Sequence, residues 1–463
     1  MFKSSFISKS FLLIALSSVI ATSGCSRTFS SSVDSEQKIN EQDGNFNSLL
    51  SDNERFASSI ANIGDLEGDG VIDLAVGAPF DDEDGTDRGA VWILFMDDNG
   101  LVDVEQKISS GTGNFSGSLD NDDRFGSSVA SVGDLNNDGV TDVAVGSPGD
   151  DDGGIDRGSL WILFLNSNGT VQNEQKIANA TSGFADVLDD DDQFGSAVAN
   201  IGDLNNDGIA DLAVGVPFDD DGGTNFGALW ILFMNNTGTV ASSQKISFTD
   251  GGFSGDLFNE DHFGSSIDTV GDIDGDGVTE LVVGSPGDDD GGTDRGAVWI
   301  LYMNSNGTVK QESKISQTTA EFDGVLNNGD GFGNAVANLG DINSDGVSDL
   351  GIAAKLTDDG GVDRGAFWIV FLNADGDVIS SSKISDLQGN FNGVLADNDQ
   401  FGTDLVSLGD LDNDGISDIA VTASGDSGNG VNRGAIWILF MAPVETELNE
   451  DKEAGLATLF GGS

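Results

Sequence analysis

The motif Asp-x-Asp/Asn-x-Asp-Gly-x-x-Asp/Glu, once with Glu at its third position, opens at Asp65, Asp134, Asp203, Asp272, Asp341 and Asp410, each start 69 residues after the one before. Such a strict period constrains the architecture more than any single residue does, because each repeated unit must bury its apolar face against a neighbouring copy. Phe56, Phe125, Phe194, Phe263, Phe332 and Phe401 keep the same spacing. So do Trp92, Trp161, Trp230, Trp299, Trp368 and Trp437, which are all the tryptophans present. Nearly the whole 463-residue chain is repeat.

Within the second copy, "FGSSVASVG", "DVAVGSP", "SLWILFL" and "VQNEQKI" are four short β-prone runs separated by Gly, Asn and Asp clusters. The "NSNGT" between the third and fourth runs is a hairpin signal, and no helical stripe is long enough to bridge parallel strands. Each copy therefore reads as an antiparallel meander. Radial stacking of six such sheets predicts an all-β, six-bladed β-propeller of four-stranded antiparallel blades. The last copy stops at its third run, "AIWILFM", while "EQKI" at 36–39 stands one period ahead of Ile108. An N-terminal strand is thus expected to complete the last blade and close the ring.

Oxygen donors at positions 1, 3, 5 and 9 of a loop, a turn-permitting Gly at 6 and a backbone carbonyl at 7 suit a hard divalent cation, Ca2+ above all. The closing acid stands at position 9 before a β-run, unlike an EF-hand, where it stands at 12 before a helix. The candidate ligands are Asp65, Glu67, Asp69, Val71 and Asp73 in the first copy, and Asp134, Asn136, Asp138, Val140 and Asp142 in the second. The third and fourth offer Asp203, Asn205, Asp207, Ile209 and Asp211, then Asp272, Asp274, Asp276, Val278 and Glu280. The fifth and sixth offer Asp341, Asn343, Asp345, Val347 and Asp349, then Asp410, Asp412, Asp414, Ile416 and Asp418. About six Ca2+, one per repeat, is the expectation.

The combination "FGSSVASVGDLNNDGVTDVAVGSP" and "RGSLWILF" resembles the FG-GAP repeat of integrin alpha-chain β-propellers over residues 36–441. That resemblance implies that the acidic loop joins a blade's first and second strands and binds Ca2+. Integrin propellers have seven blades, whereas this sequence carries six copies. It also departs locally, with Ala57 for Gly, Glu67 at position 3, Glu280 at position 9, and "AAK" and "TAS" replacing the Gly-x-Pro tail in copies five and six. The long Glu67 is expected to distort the first site.

Residues 1–24 have the layout of a signal peptide: Lys3 and Lys9, the apolar run "FLLIALSSVIA", then small residues. The run is shorter than a membrane-spanning helix needs. Cys25, the only cysteine, follows "TSG" and resembles the lipidated cysteine of a bacterial lipobox, although Thr22 stands where Leu is usual. Residues 25–35 read as a lipid-anchor cysteine and Ser-rich tether, 36–441 as the propeller, and 442–463 as a tail able to form a short helix. An exported protein at the cell envelope or outer surface follows, touching membrane only through that lipid.

Strand parity places the acidic loops and "NSNGT" turns on one rim. The other rim carries loops such as "GDDDGGIDRG" and "LDNDDRFG", which vary more between copies. There Phe226 replaces the arginine found as Arg88, Arg157, Arg295, Arg364 and Arg433, and the only histidine is His262. Plain solvated acidic loops are the competing reading of this rim. The tryptophans, central in the most apolar run, are read as core.

With 80 acidic against 19 basic residues the formal net charge is −61, which repels nucleic acid and anionic membranes. No serine or cysteine motif accompanies the single histidine, so no catalytic residue is assigned. The leading reading is a calcium-binding surface propeller acting in adhesion toward an extracellular protein or carbohydrate ligand. A hydrolase using rim carboxylates and a structural calcium-binding envelope protein remain as alternatives.

Overall fold

The computed structural model describes residues 27–83, 85–319 and 322–448. Residues 1–24, read above as a signal peptide, Cys25 and the tail beyond 448 lie outside the described residues.

Between Phe29 and Glu445 the described residues form six four-stranded antiparallel sheets. The first blade consists of Ser59–Gly64, Asp73–Ala78, Ala90–Met96 and Val102–Ile108, paired in that order. Copies two to five repeat the pattern from Ser128, Ala197, Ser266 and Ala335. In the sixth blade Phe401–Gly409, Asp418–Ala423 and Ala435–Met441 are completed by Val33–Ile39, antiparallel to the third strand with Ile39 opposite Ile436. Ring closure by the N-terminal strand is therefore observed. That strand starts at Val33, inside the stretch read as tether.

The first strands of successive blades touch in a closed cycle, Phe401–Gly409 returning to Ser59–Gly64. They line a central channel, and their small residues (Ser, Ala, Val) let six strands approach one axis.

The third strands are buried along essentially their whole length, because each blade is covered on both faces by its neighbours. The core is accordingly divided among the blade interfaces. One apolar cluster joins Ile436 and Ile438 of the last blade to Leu74 and Trp92 of the first. The next joins Ile93 and Phe95 to Trp161 and Leu163, and four more continue round the ring. Phe125, fully buried, stacks on Phe115, which meets the edge of Trp161. The tryptophans are core, as expected.

The glycine after each such Phe has a steric reason. Gly126 has a φ of +93°, and a Cβ there would lie 2.4 Å from the Ala90 carbonyl oxygen. Ala57, in the first copy, is forced into the same left-handed region at φ 64°.

Ahead of the first blade, Phe29 packs on Phe371 with ring centroids 5.6 Å apart, and the Ser31 amide donates to Ser382 Oγ at 3.0 Å. Residues 29–31 are thereby held on the fifth blade's outer strand. Separately, Arg27–Ser30 pairs with Glu445–Leu448 as a two-stranded ribbon. Within the tail read as able to form a short helix, residues 445–448 are a strand, because "ETEL" finds an extended partner for its backbone groups; residues 449–463 lie outside the described residues.

Candidate functional site

Each acidic loop begins where its blade's first strand ends and finishes on the first residue of the second: Asp73, Asp142, Asp211, Glu280, Asp349 or Asp418. In the second copy Asp134 accepts the amides of Asp138 at 2.8 Å and Gly139 at 2.9 Å. Asp138 accepts the Val140 amide at 3.0 Å. Asn137 and Gly139 take positive φ, 62° and 91°, which turns the chain sharply enough for these side chains to face inward.

Asp142 anchors the loop. Its two oxygens accept the Leu135 amide and the Leu165 amide, both at 3.1 Å, tying the loop to the end of the third strand. Burial pushes its carboxyl up to about 7, and burial does the same to Glu280 and Asp349. Asp211 and Asp418 are pushed up to about 6.

Carboxylate oxygens of Asp272, Asp274, Asp276 and Glu280 lie within 4.8 Å of one another, as do those of Asp410, Asp412 and Asp418. Asn136 Oδ1, Asn205 Oδ1 and Glu280 Oε1 are buried without a hydrogen-bond partner among the described residues. An all-oxygen donor set with such unpaired acceptors fits a hard divalent cation. The residues at position 7 are drawn into the loops by their amides, as where Val71 donates to Asp69 at 2.8 Å and Ile416 to Asp414 at 2.8 Å.

Two loops differ. Burial, Asp73 and Asp69 push the Glu67 carboxyl up to about 7, so the long side chain crowds the closing acid. In the fourth loop the Lys310 ammonium lies 2.7 Å from Asp274 Oδ2 and 3.7 Å from Glu280 Oε1, and also pairs with Asp276. The other copies place Asp34, Asp103, Gln172, Ala241 or Ile379 at this position.

The second rim is more structured than solvated acidic loops would be. Lys107 lies 5.5 Å above the Trp92 ring and 2.6 Å from buried Asp81. The same stack recurs as Trp161–Lys176–Asp150, Trp230–Lys245–Asp219, Trp299–Lys314–Asp288 and Trp437–Lys38–Asp426. In the fifth blade Thr357 stands in for the Asp, and Lys383 pairs with Asp359 at 2.7 Å. Sequence reasoning missed this stack, although the lysine of each "QKI" or "SKI" keeps the 69-residue period as strictly as the tryptophan.

Arginines on this rim clamp adjacent blades: Arg157 to Asp190 at 2.8 Å, Arg433 to Asp52 at 2.9 Å. Phe226 replaces that arginine with an apolar contact inside its own blade, its ring 5.4 Å from Phe248 and only 8% exposed. His262 is half-buried, 5.1 Å from the Phe218 ring and 3.4 Å from Glu260. What this substitution leaves on the surface is Phe248, 43% exposed, with Phe258, 60% exposed, in the following loop.

A closed ring of antiparallel blades, each with one acidic loop between its first two strands, defines a repeat β-propeller. The model of the FG-GAP repeat matches residues 56–94, 125–163, 194–232, 263–301 and 401–439. The chain is an FG-GAP, integrin alpha-like β-propeller. The fifth copy lies outside the matched stretches, yet it folds into the same four strands. Among relatives, integrin alpha-11 of Homo sapiens is 39% identical over 161 residues, covering 35% of this chain and 12% of that protein. Phosphatidylinositol-glycan-specific phospholipase D of Bos taurus is 30% identical over 194 residues, covering 42% and 22%. Integrin alpha-6 of Gallus gallus is 35% identical over 164 residues, covering 35% and 14%. The match thus spans less than a quarter of each of these relatives.

Proposed function

We propose that this propeller is an exported, calcium-stabilised binding module at the cell surface, acting in adhesion toward an extracellular protein or carbohydrate. The observation that carries the reading is the division of labour between rims. One rim repeats its acidic loops six times with little change, as a structural ion site would. The other replaces an interblade arginine clamp with Phe226 and presents the aromatic rings of Phe248 and Phe258, where the loops of other copies expose aliphatic side chains such as Ile155, Val187 and Leu387 among their acids.

In this reading Ca2+ acts structurally, offsetting the mutual repulsion of three or four acids in each loop. The integrin alpha relatives support a binding module. The reading includes export by residues 1–24 and lipid anchoring at Cys25, with no catalytic residue. A chain found wholly in the medium with a free Cys25 thiol would remove the anchor from it.

The test is a glycan and protein array probed with the full-length protein, with Ca2+ and with chelator, alongside Phe258→Ser. Saturable, selective binding that falls in chelator and in the variant is expected. Binding indifferent to Phe258, or no selective binding with Ca2+ fully loaded, would overturn it.

A further inference from the structure

Every lysine between residues 29 and 445 forms an ion pair except one. Lys355, in a chain of net charge −61, has no such partner among the described residues. It lines the central channel, at a position occupied in the other copies by Pro79, Pro148, Pro217, Pro286 and Ser424. Proline has no amide hydrogen, whereas the Lys355 amide donates to Asn334 Oδ1 at 2.7 Å. Asn334 itself replaces a Ser or Thr of the other copies, and its Nδ2 holds the Gly402 carbonyl at 2.8 Å and the Thr403 carbonyl at 3.1 Å. The two replacements work together, fixing the lysine's backbone at the joint of the fifth and sixth blades.

Two further departures from the repeat face the same cavity, whose volume is about 330 Å³. Asp404 stands where other copies have Ser or Ala, and Asp268 where they have Ala or Val. Asp404 accepts the Ile60 amide of the first blade at 2.9 Å, and Asp268 accepts the Asn338 amide of the fifth at 2.8 Å. These bonds orient the carboxylates without neutralising them. The three residues are the only charged groups in the described wall, and all belong to copies four to six. Burial pushes the Asp404 carboxyl up to about 7 and the Asp268 carboxyl up to about 6. Burial, with Arg55 nearby, holds Lys355 below its usual value against the opposing attraction of Asp404.

We propose that this side of the channel is a binding site for a small zwitterion of free amino-acid size, Lys355 taking its carboxylate and Asp404 and Asp268 its ammonium. Groups of both signs stand half-buried in one polar cavity with no ion pair within 4 Å among the described residues, and a molecule carrying both complementary charges pairs with both at once. The cavity is walled by the first strands themselves, whereas the acidic loops begin where those strands end, as at Asp272 after Ser266–Gly271.

The test is calorimetric titration of the calcium-loaded full-length protein with the L-α-amino acids, with acetate and methylammonium as half-ligands. At least one amino acid should saturate one site per chain, with each half-ligand binding at least about tenfold more weakly. Lys355→Gln and Asp404→Asn should each weaken binding by about tenfold or more, and Lys355→Arg should retain it. Circular dichroism checks that the variants fold, and if Asp404→Asn does not, Lys355→Gln decides alone. No saturation by any amino acid up to about 10 mM, or binding unchanged in Lys355→Gln, would overturn the assignment. So would a double-mutant cycle showing Lys355 and Asp404 coupled to each other in the ligand-free protein, since the lysine would then be satisfied internally.

Discussion

Lys38 and Trp437 lie opposite each other across the seam of the ring, the ammonium 5.1 Å above the indole, although 399 positions separate them in the chain. The contact reproduces in the last blade what Lys107 and Trp92 make within the first. Removing residues 26–40 should therefore expose Trp437 and a bare strand edge. Size-exclusion chromatography is expected to show aggregation, and a monomeric, equally stable truncation would mean that another segment closes the ring.

The acidic loops predict metal dependence copy by copy. Calorimetry should give about six Ca2+ per chain, and chelator should lower the melting temperature. Asp134→Ala removes the carboxylate that gathers the Asp138 and Gly139 amides, so it should abolish one site and leave the others near normal. Fewer than three sites in the wild type would count against the loops as ion sites.

Lys310 makes the fourth loop unequal to the rest. An ammonium 2.7 Å from Asp274 competes with any cation for that carboxylate. Lys310→Met should strengthen one Ca2+ site by about tenfold, ~1.4 kcal/mol, with the others unchanged in the same titration. An unaltered binding isotherm would show that the lysine swings aside at no cost.

Ala57 is held at φ 64°, in the left-handed region where a Cβ is disfavoured. Ala57→Gly restores the residue that the other copies use and should stabilise the protein by about 1 kcal/mol. Urea denaturation would register this as a higher midpoint with an unchanged slope.

The second rim predicts how stability varies with pH. Burial pushes Asp123, Asp192 and Asp261 up to about 7, each with one backbone amide as partner. A carboxyl whose pKa is higher folded than unfolded binds more protons in the folded state between the two values. These groups therefore favour folding below about pH 4, and that contribution is lost as pH rises from about 4 to about 7. Asp123→Asn should raise the melting temperature at pH 8 and leave it nearly unchanged at pH 4; an equal shift at both values would exclude titration as the cause.

The blade pattern, the closing strand and the buried tryptophans were legible because each is a local regularity repeated at one period. Alternating or wholly apolar runs, a turn between them and a missing fourth run need no tertiary information. The position-9 acids were legible as ligands, but their anchoring to the third strand was not. Leu165 is 23 residues from Asp142, and only sheet pairing brings its amide there. Phe226 stood out as a departure from the repeat, yet its burial depends on Phe248 packing over it from just past the end of the same blade's outer strand, Val240–Ser247.

By itself the sequence determined what depends on spacing: six copies, four strands in each, one acidic loop per copy and the order in which the ring closes. The tertiary structure alone decided what depends on which copies meet. It turned Lys355, Asp404 and Asp268, three isolated departures in three copies, into the charged wall of one cavity. It also turned the lysine of each "QKI" or "SKI" into the lid of a tryptophan beside a rim carboxylate. The physical reason is that a local pattern sets the path of each strand, whereas charge pairing and burial are set by neighbours that the chain reaches only by closing on itself.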